Sequence, residues 1–331
     1  MTLRWGVVGT MDEPAPLILA WVAHHLSIGA AEAHVYLDRP NDEVTQALAG
    51  IEGVFVTTCD DAHWAQSARG RKPKRVTGRQ MVNADEVYRT RPLDWLLHCD
   101  ADEFFWPKGD FLADLKAAEA RNLRLRNVER VHRGAAESIF SGTFRGWQSD
   151  PDLSVEVYGR WAPFLRTGFS GYRAGKDIVR TGEDLKMGIH FPTDLATGKL
   201  CSAKPVRLFS ALLLHFDGLT PLHSALKLLN RAFDPAYQAK THNLGVQRDR
   251  QLRFARNHAT KPRQFQQMLE GVFALTDAQA AALGKTHFDI AFDPSPALAA
   301  LGIKADLSVE RFDAELRKRA AELIETSGLA L

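Results

Sequence analysis

Cysteine is scarce in this 331-residue chain, which contains only Cys59, Cys99 and Cys201. Three cysteines so far apart form neither a disulfide framework nor the closely spaced pairs of a structural zinc site. Free thiols persist in a reducing compartment, so this composition favours the cytoplasm.

Long apolar runs are also lacking. No stretch approaches the ~18 apolar residues that indicate a transmembrane helix. The start of the chain, MTLRWGVVGTMDEP, has no apolar core behind a basic segment, as a secretory signal would. We therefore expect a cytoplasmic protein without a transmembrane segment, and peripheral contact with a membrane stays open.

Neither sign of charge is in excess, since the formal net charge is only +2. A chain this close to neutrality has no general field to recruit nucleic acid, so we expect no nucleic-acid partner. A hydrophobic content of 45% and a charged content of 25% are typical of a soluble globular protein. The length allows one large α/β domain, or such a domain with an appendage.

Short apolar segments alternate with segments of helical spacing in the first part of the chain. Strands are predicted at Leu3–Val8, Ala33–Leu37, Val54–Thr57 and Leu93–Leu97, and helices at Ala15–Ile28, Asp42–Ala49 and Gln80–Tyr88. This alternation predicts an α/β fold with a mostly parallel sheet sandwiched by helices. In such sheets ligands bind at the carboxyl ends of the strands, so Thr10, Asp38 and Asp100 should share one edge.

The second half of the chain is less regular. Strand-like pieces occur at Trp161–Leu165 and Lys176–Val179, and Lys204–His215 predicts a further apolar strand. Helical spacing dominates from Pro221 onward. We therefore expect a sheet domain over residues 1–230 and a helical C-terminal region over residues 231–331.

A cluster of carboxylates follows the apolar segment Trp95-Leu96-Leu97. Asp100 and Asp102 are two residues apart, so in extended chain their side chains point to the same side. Paired carboxylates are hard oxygen ligands that suit Mg²⁺ or Mn²⁺, and either ion can take further ligands from a substrate's phosphates. The alternative is an acidic turn that solvates the end of a strand.

Several motifs, in order along the chain, resemble the family-two-like glycosyltransferases of the GT-A fold. The matching segments are Leu19–Gly29 followed by His34–Asp38, the D-x-D-E-F motif at Asp100–Phe104, Lys176–Arg180 followed by Gly188–His190, and Leu213–Asp217 followed by Ser224 and Lys227. The resemblance implies a nucleoside diphosphate sugar as donor, a glycan or lipid-linked acceptor, and a divalent metal as cofactor.

The resemblance and the local chemistry together define the candidate site residues. The predicted metal ligands are Asp100, Asp102 and, as competing third ligands, His215 and His190; the predicted donor-binding residues are Thr10, Asp38, Arg79, Asp100, Lys176 and Arg180. Thr10 and Asp38 would contact the base and the ribose, and Arg79, Lys176 and Arg180 the phosphates. Helix capping is the alternative for Thr10 and Asp38, and a core histidine is the alternative for His215.

Transfer with inversion at the sugar needs a general base for the acceptor hydroxyl. The family implies a carboxylate after the metal motif, and Asp184 and Asp150 are our choices among Asp150, Glu156, Glu183 and Asp184. The basic segment Arg69–Arg79 is a solvated loop, a contact for an anionic acceptor or a mobile lid.

These features favour a metal-dependent glycosyltransferase of glycan or polysaccharide biosynthesis, and the family resemblance implies that the transfer inverts the sugar. Two alternatives stay open: a catalytically silent relative that binds nucleotide sugars or carbohydrate, and a nucleotidyl- or phosphotransferase. The second has little support because the sequence has no G-x-x-x-x-G-K-[ST] loop.

Overall fold

The structure is a computed structural model that describes residues 2–235 and 245–331. In the first part of the chain the elements are β1 (Trp5–Met11), α1 (Ala15–Ser27), β2 (Glu32–Leu37), α2 (Asp42–Ala47), β3 (Val54–Thr58), α3 (Asp61–Gln66), α4 (Val76–Thr90), β4 (Trp95–His98), β5 (Glu103–Pro107), α5 (Phe111–Ala117) and β6 (Asn122–Val131). They are followed by β7 (Thr143–Arg145), α6 (Pro151–Tyr158), a 3₁₀ helix (Gly159–Phe164), β8 (Lys176–Arg180), β9 (Leu185–Lys186), β10 (Thr193–Asp194), β11 (Arg207–His215) and α7 (Pro221–Phe233). The last described elements are α8 (Val246–His258), α9 (Pro262–Phe273), α10 (Asp277–Leu283), a 3₁₀ turn (Gly284–Thr286), β12 (His287–Phe288), α11 (Ser295–Ala300), α12 (Val309–Arg319) and α13 (Ala321–Ser327).

The chain folds into two compact units that interleave along the sequence. The first unit comprises Met1–Asn127, Ala174–Leu214 and Pro294–Ala305, and the second comprises Val128–Arg173, His215–Asp293 and Asp306–Leu331. Neither unit coincides with the predicted ranges 1–230 and 231–331, because the chain leaves the first unit at Asn127 and returns to it at Ala174. Local periodicity carries no information about such a return.

A parallel group of strands forms the core of the first unit. Strand β1 lies between β2 and β4 and is parallel to both, and β3 is parallel to β2. Every residue of β1, β2 and β4 is buried, as expected when helices cover both faces of a parallel sheet. The predicted α/β character and the predicted parallel start of the sheet are therefore confirmed.

The prediction of a mostly parallel sheet is wrong for the rest of this unit. Strand β8 is antiparallel to β4, and the first half of β6 is antiparallel to β8. An apolar segment of strand length does not encode the direction of its neighbour, which depends on how the intervening chain returns. The sheet is mixed.

The second unit contains most of the helices that follow Pro221. Its strand segments are antiparallel, with the end of β6 paired to β7 and β7 paired to β12. The strand-like pattern at Trp161–Leu165 is instead the 3₁₀ helix, whose Pro163 has no N–H to contribute to a sheet. In the described part of the chain, no helix combines the length and apolar character required to cross a bilayer.

Candidate active site

The carboxyl ends of β1, β2 and β4 lie at one edge of the sheet in the first unit. The Asp38 backbone N–H donates to Met11 O at 2.9 Å, and the Cys99 N–H donates to Val8 O at 2.9 Å. The strand ends are thus tied together by backbone hydrogen bonds. The prediction that Thr10, Asp38 and Asp100 lie along one edge is confirmed.

Helix α4 places three polar side chains against this edge. Arg79 donates to Asp38 Oδ2 at 2.6 Å, and Gln80 Nε2 donates to Asp100 Oδ1 at 2.6 Å. One turn later, Asn83 Nδ2 donates to the Thr10 hydroxyl at 2.9 Å. The positions i, i+1 and i+4 of one helix therefore contact the ends of three different strands.

Asp38 keeps one oxygen available for a ligand. Its Oδ1 is buried and accepts no hydrogen bond from the described residues, and the Lys72 ammonium lies 3.6 Å away. A buried acceptor without a donor is costly in a folded protein unless a ligand satisfies it. A hydroxyl group of a bound ligand would supply the missing donor.

Lys176 lies at the centre of the acidic segment rather than on the surface. Its ammonium is fully buried and lies 2.8 Å from Asp100 Oδ2 and 2.5 Å from Glu103 Oε2. Although burial opposes the charge on Lys176, the neighbouring carboxylates raise its pKa above the usual range. Burial likewise opposes the charge on Asp100, but the ammonium lowers the pKa of Asp100 below its usual range. Lys176 thus keeps Asp100 ionised.

Glu103 has the structural role expected from its position. Its Oε2 accepts a hydrogen bond from the Asp100 backbone N–H at 2.8 Å, in addition to the contact with Lys176. The side chain is fully buried. It therefore anchors the turn that carries Asp100 and Asp102.

Glu13 is part of this site, although the sequence pattern indicated only helix-start chemistry for Asp12-Glu13-Pro14. Burial, and then the negative charges of Asp102, Asp12 and Asp100, raise the pKa of Glu13 to about 8. Helix α1 starts without a side-chain cap. The signal in the sequence was a carboxylate directly after the first strand, at the same edge as the D-x-D segment.

The side chains at this edge are chemically suited to bind a divalent cation. Asp100 and Asp102 supply hard carboxylate oxygens, and a bound cation would favour ionisation of the neighbouring Glu13, whose pKa is raised by burial and by the nearby negative charges. Over residues 2–235 and 245–331, no group of three or more His, Cys, Asp or Glu side chains is already arranged around a common ion position. A divalent cation held by Asp100 and Asp102 would therefore take its remaining ligands from water or from a substrate's phosphates.

His98 is a further residue that the motif analysis missed. It is buried, its ring Nδ1 lies 3.3 Å from Ile189 O, and its Nε2 lies 4.0 Å from Asp100 Oδ1. Burial and the Lys176 charge lower the pKa of His98 to about 3, so the ring is neutral at neutral pH. His190 donates from Nδ1 to Gly175 O at 3.1 Å.

Glu13→Gln is expected to change the pH dependence of stability. An acid whose pKa is about 8 when folded and 4.5 when unfolded binds more protons in the folded state between those values. The free energy of unfolding of the wild type therefore falls as pH rises through this window, by about 1.4 kcal/mol per pH unit.

Urea unfolding at pH 5.5 and at pH 7.5 measures this effect. Relative to the wild type, Glu13→Gln should gain about 2–3 kcal/mol between the two values. A constant difference between the two proteins would show that folding does not raise the pKa of Glu13.

Arg180, a predicted phosphate ligand in the first unit, lies apart from the acidic segment. Arg180 pairs with Trp95, the first residue of β4, roughly 10 Å along the strand from its carboxyl end. Its guanidinium donates to Ala118 O and lies over the Trp95 ring, so the structure does not bring it to the predicted phosphate position. Asp184 is exposed in the turn before β9.

Asp150 and His215 belong to the second unit. Asp150 is the N-cap of α6, where its Oδ1 accepts from the Asp152 N–H at 2.9 Å. The buried His215 ring packs against Tyr172, with 5.1 Å between ring centroids. Their predicted roles as base and metal ligand stay predictions.

Comparison with known proteins gives no family assignment. No family model matches the sequence, and no curated protein matches it. A search of solved structures finds residues 1–349 of TarS from S. aureus, with a TM-score of 0.35 and 13% identity over 85% of this chain and 83% of that one. It also finds HddC from Yersinia pseudotuberculosis, with a TM-score of 0.28 and 9% identity over 54% of this chain and 75% of that one. At TM-scores this low, neither likeness establishes a shared fold.

Proposed function

We propose that this protein is a metal-dependent glycosyltransferase that moves a sugar from a nucleoside diphosphate sugar to a hydroxyl acceptor. One observation carries the proposal: Asp100, Asp38 and Thr10 end neighbouring parallel strands and are contacted by three side chains of one helix. Polar groups that converge at the carboxyl ends of parallel strands are the usual position of a ligand site in an α/β sheet. The resemblance of the D-x-D-E-F segment to family-two-like glycosyltransferases supports the same assignment.

Each residue at this edge would contribute to donor binding in a different way. The under-satisfied Asp38 Oδ1 would accept from a ribose hydroxyl, and Arg79 holds the Asp38 carboxylate in place. Thr10, fixed by Asn83, would line the base or ribose pocket. Lys176 keeps Asp100 ionised from within the core.

Asp100 and Asp102, with Glu13 beside them, would hold the divalent cation. When bound, such a cation supplies charge neutralisation for the departing nucleoside diphosphate. The acceptor hydroxyl needs a base, for which Asp184 and Asp150 are our candidates, and inversion at the sugar follows from the family resemblance.

A transfer and hydrolysis assay with a panel of UDP- and GDP-sugars in Mn²⁺ tests the proposal. We expect one donor to release its nucleoside diphosphate in a time-dependent reaction. Saturable donor binding without release would identify a catalytically silent relative, and neither binding nor release of any donor would contradict the proposal.

Asp38→Ala is expected to act on donor binding more than on turnover. Loss of a charge-assisted hydrogen bond to the ribose removes about 1.5–3 kcal/mol, so KM for the donor should rise by about tenfold or more while kcat changes less. Asp42→Ala, an exposed acid at the start of α2, is the control and should retain wild-type kinetics. An unchanged KM in Asp38→Ala would remove Asp38 from the donor site.

A further inference from the structure

A segment of the first unit is strongly basic although the whole chain is nearly neutral. Between Asp61 and Asp85 the sequence has no acidic residue, and it has six cations: Arg69, Arg71, Lys72, Lys74, Arg75 and Arg79. The formal net charge of the entire chain is only +2. The local excess of positive charge therefore needs an explanation of its own.

Only two of these six cations are neutralised by a described side chain. Arg79 and Lys72 share the Asp38 carboxylate, at 2.6 Å and 3.6 Å. The other four side chains are exposed, and within residues 2–235 and 245–331 they make no hydrogen bond or ion pair: Arg69, Arg71, Lys74 and Arg75. We call these four residues the basic loop.

The basic loop leads directly into the candidate active site. Arg75 immediately precedes α4, and Gln80, five residues later, donates to Asp100. Five residues of helix span roughly 7.5 Å. An anionic group held by the loop would thus lie next to the edge where the donor is proposed to bind.

The composition of the loop restricts the kind of partner it suits. No aromatic residue occurs between Trp64 and Tyr88, so the segment has no platform on which nucleic-acid bases could stack. Between Trp64 and Tyr88, which the structure describes throughout, Val76 is the single large apolar side chain that is exposed. The segment therefore lacks the apolar face that inserts into a membrane surface. Guanidinium and ammonium groups without apolar companions favour repeated phosphate or carboxylate groups.

We propose that the basic loop binds the acceptor, and that this acceptor carries repeated phosphate or carboxylate groups. The assignment as acceptor rests on the proposed function, because the loop adjoins the donor edge. Arg79 and Lys72 already face Asp38 at that edge, so the four further cations exceed what one diphosphate requires.

Two variants with the same net charge test the proposal. The loop variant combines Arg69→Gln, Arg71→Gln, Lys74→Gln and Arg75→Gln. The control combines Lys116→Gln, Lys186→Gln, Lys199→Gln and Lys304→Gln, which are exposed lysines of the same unit. Fluorescence anisotropy measures binding of labelled inorganic polyphosphate, with polygalacturonate and a short duplex DNA as competitors, and thermal shifts with UDP or GDP plus Mn²⁺ monitor donor binding.

The loop variant should bind the polyanions at least about tenfold more weakly, with a smaller salt dependence, while the control stays within about twofold of the wild type. Unlabelled polyphosphate and polygalacturonate are compared as competitors of the labelled polyphosphate. The stronger competitor identifies phosphate or carboxylate as the preferred group. Both variants should keep the wild-type nucleotide shift.

A wild type that binds neither polyanion, equal weakening in both variants, or DNA as the tightest ligand would each overturn the proposal. Loss of the nucleotide shift in the loop variant alone would assign these cations to the donor and also overturn it. A wild type without any nucleotide shift, but with loop-dependent polyanion binding, would contradict the proposed function and leave the anion site standing.

Discussion

Asp102→Asn should lower kcat of sugar transfer by about 10²–10³-fold. The substitution keeps the shape of the side chain but removes a charge next to the position where negative charge develops on the leaving group, and one such electrostatic contact is worth this much in turnover. Steady-state kinetics on the donor identified by the sugar panel measures the effect. Asparagine keeps the volume of the buried Asp102 side chain, so the variant should remain folded, and urea denaturation checks that the loss of turnover is not a loss of folded protein.

Asp114→Asn is the matched control for this substitution. Asp114 is an exposed acid in the first turn of α5, in the same unit, and its replacement should leave kcat within about twofold of wild type. Equal activity of Asp102→Asn and Asp114→Asn would remove Asp102 from the reaction.

Lys176→Met should reduce the free energy of unfolding by about 3–5 kcal/mol. The methionine fills the space of the alkyl chain but leaves Asp100 and the fully buried Glu103 without their shared cation, and a buried charge without its partner is expensive. Urea denaturation at neutral pH measures the loss. Lys186→Met, at an exposed position of β9, should cost less than about 1 kcal/mol.

A double variant separates charge from packing at Lys176. In Lys176→Met/Glu103→Gln the stranded carboxylate is gone, so at least about 1 kcal/mol of the loss should return. A double variant no more stable than Lys176→Met, or a single variant that loses less than about 1 kcal/mol, would show that the buried ion pairs are not what stabilises this turn.

The edge of the sheet could be predicted because each part of it has a local signal. Apolar segments that end in polar residues indicate strand ends, and alternation with helices indicates parallel neighbours, so Thr10, Asp38 and Asp100 were placed together correctly. The helix that carries Gln80 was predicted from its spacing, whereas its contact with Asp100 and the contact of Arg79 with Asp38 were not. None of these inferences requires knowledge of a distant part of the chain.

The remainder depends on contacts between distant segments. The direction of β8 and the burial of Lys176 are set by pairing with β4 across about 80 residues, so a basic residue at the start of a strand was assigned to phosphate instead of to the core. Glu13 was assigned to a helix start because Asp-Glu-Pro is typical of one, and its approach to Asp102 exists only in the folded chain. Arg180 was predicted to reach phosphate, but it lies one residue past the predicted strand Lys176–Val179 and pairs with Trp95, the first residue of β4.

The most direct test of the account is the coupling between a divalent cation and the nucleoside diphosphate. Isothermal titration of UDP and of GDP, with and without Mn²⁺, should show binding at least about tenfold tighter with the cation for one nucleotide, and the nucleotide should tighten Mn²⁺ binding by the same factor. In Asp102→Asn this coupling should disappear. Nucleotide affinity that is indifferent to Mn²⁺, or coupling that survives in Asp102→Asn, would contradict the assignment of this acidic edge as the site where a cation meets a diphosphate.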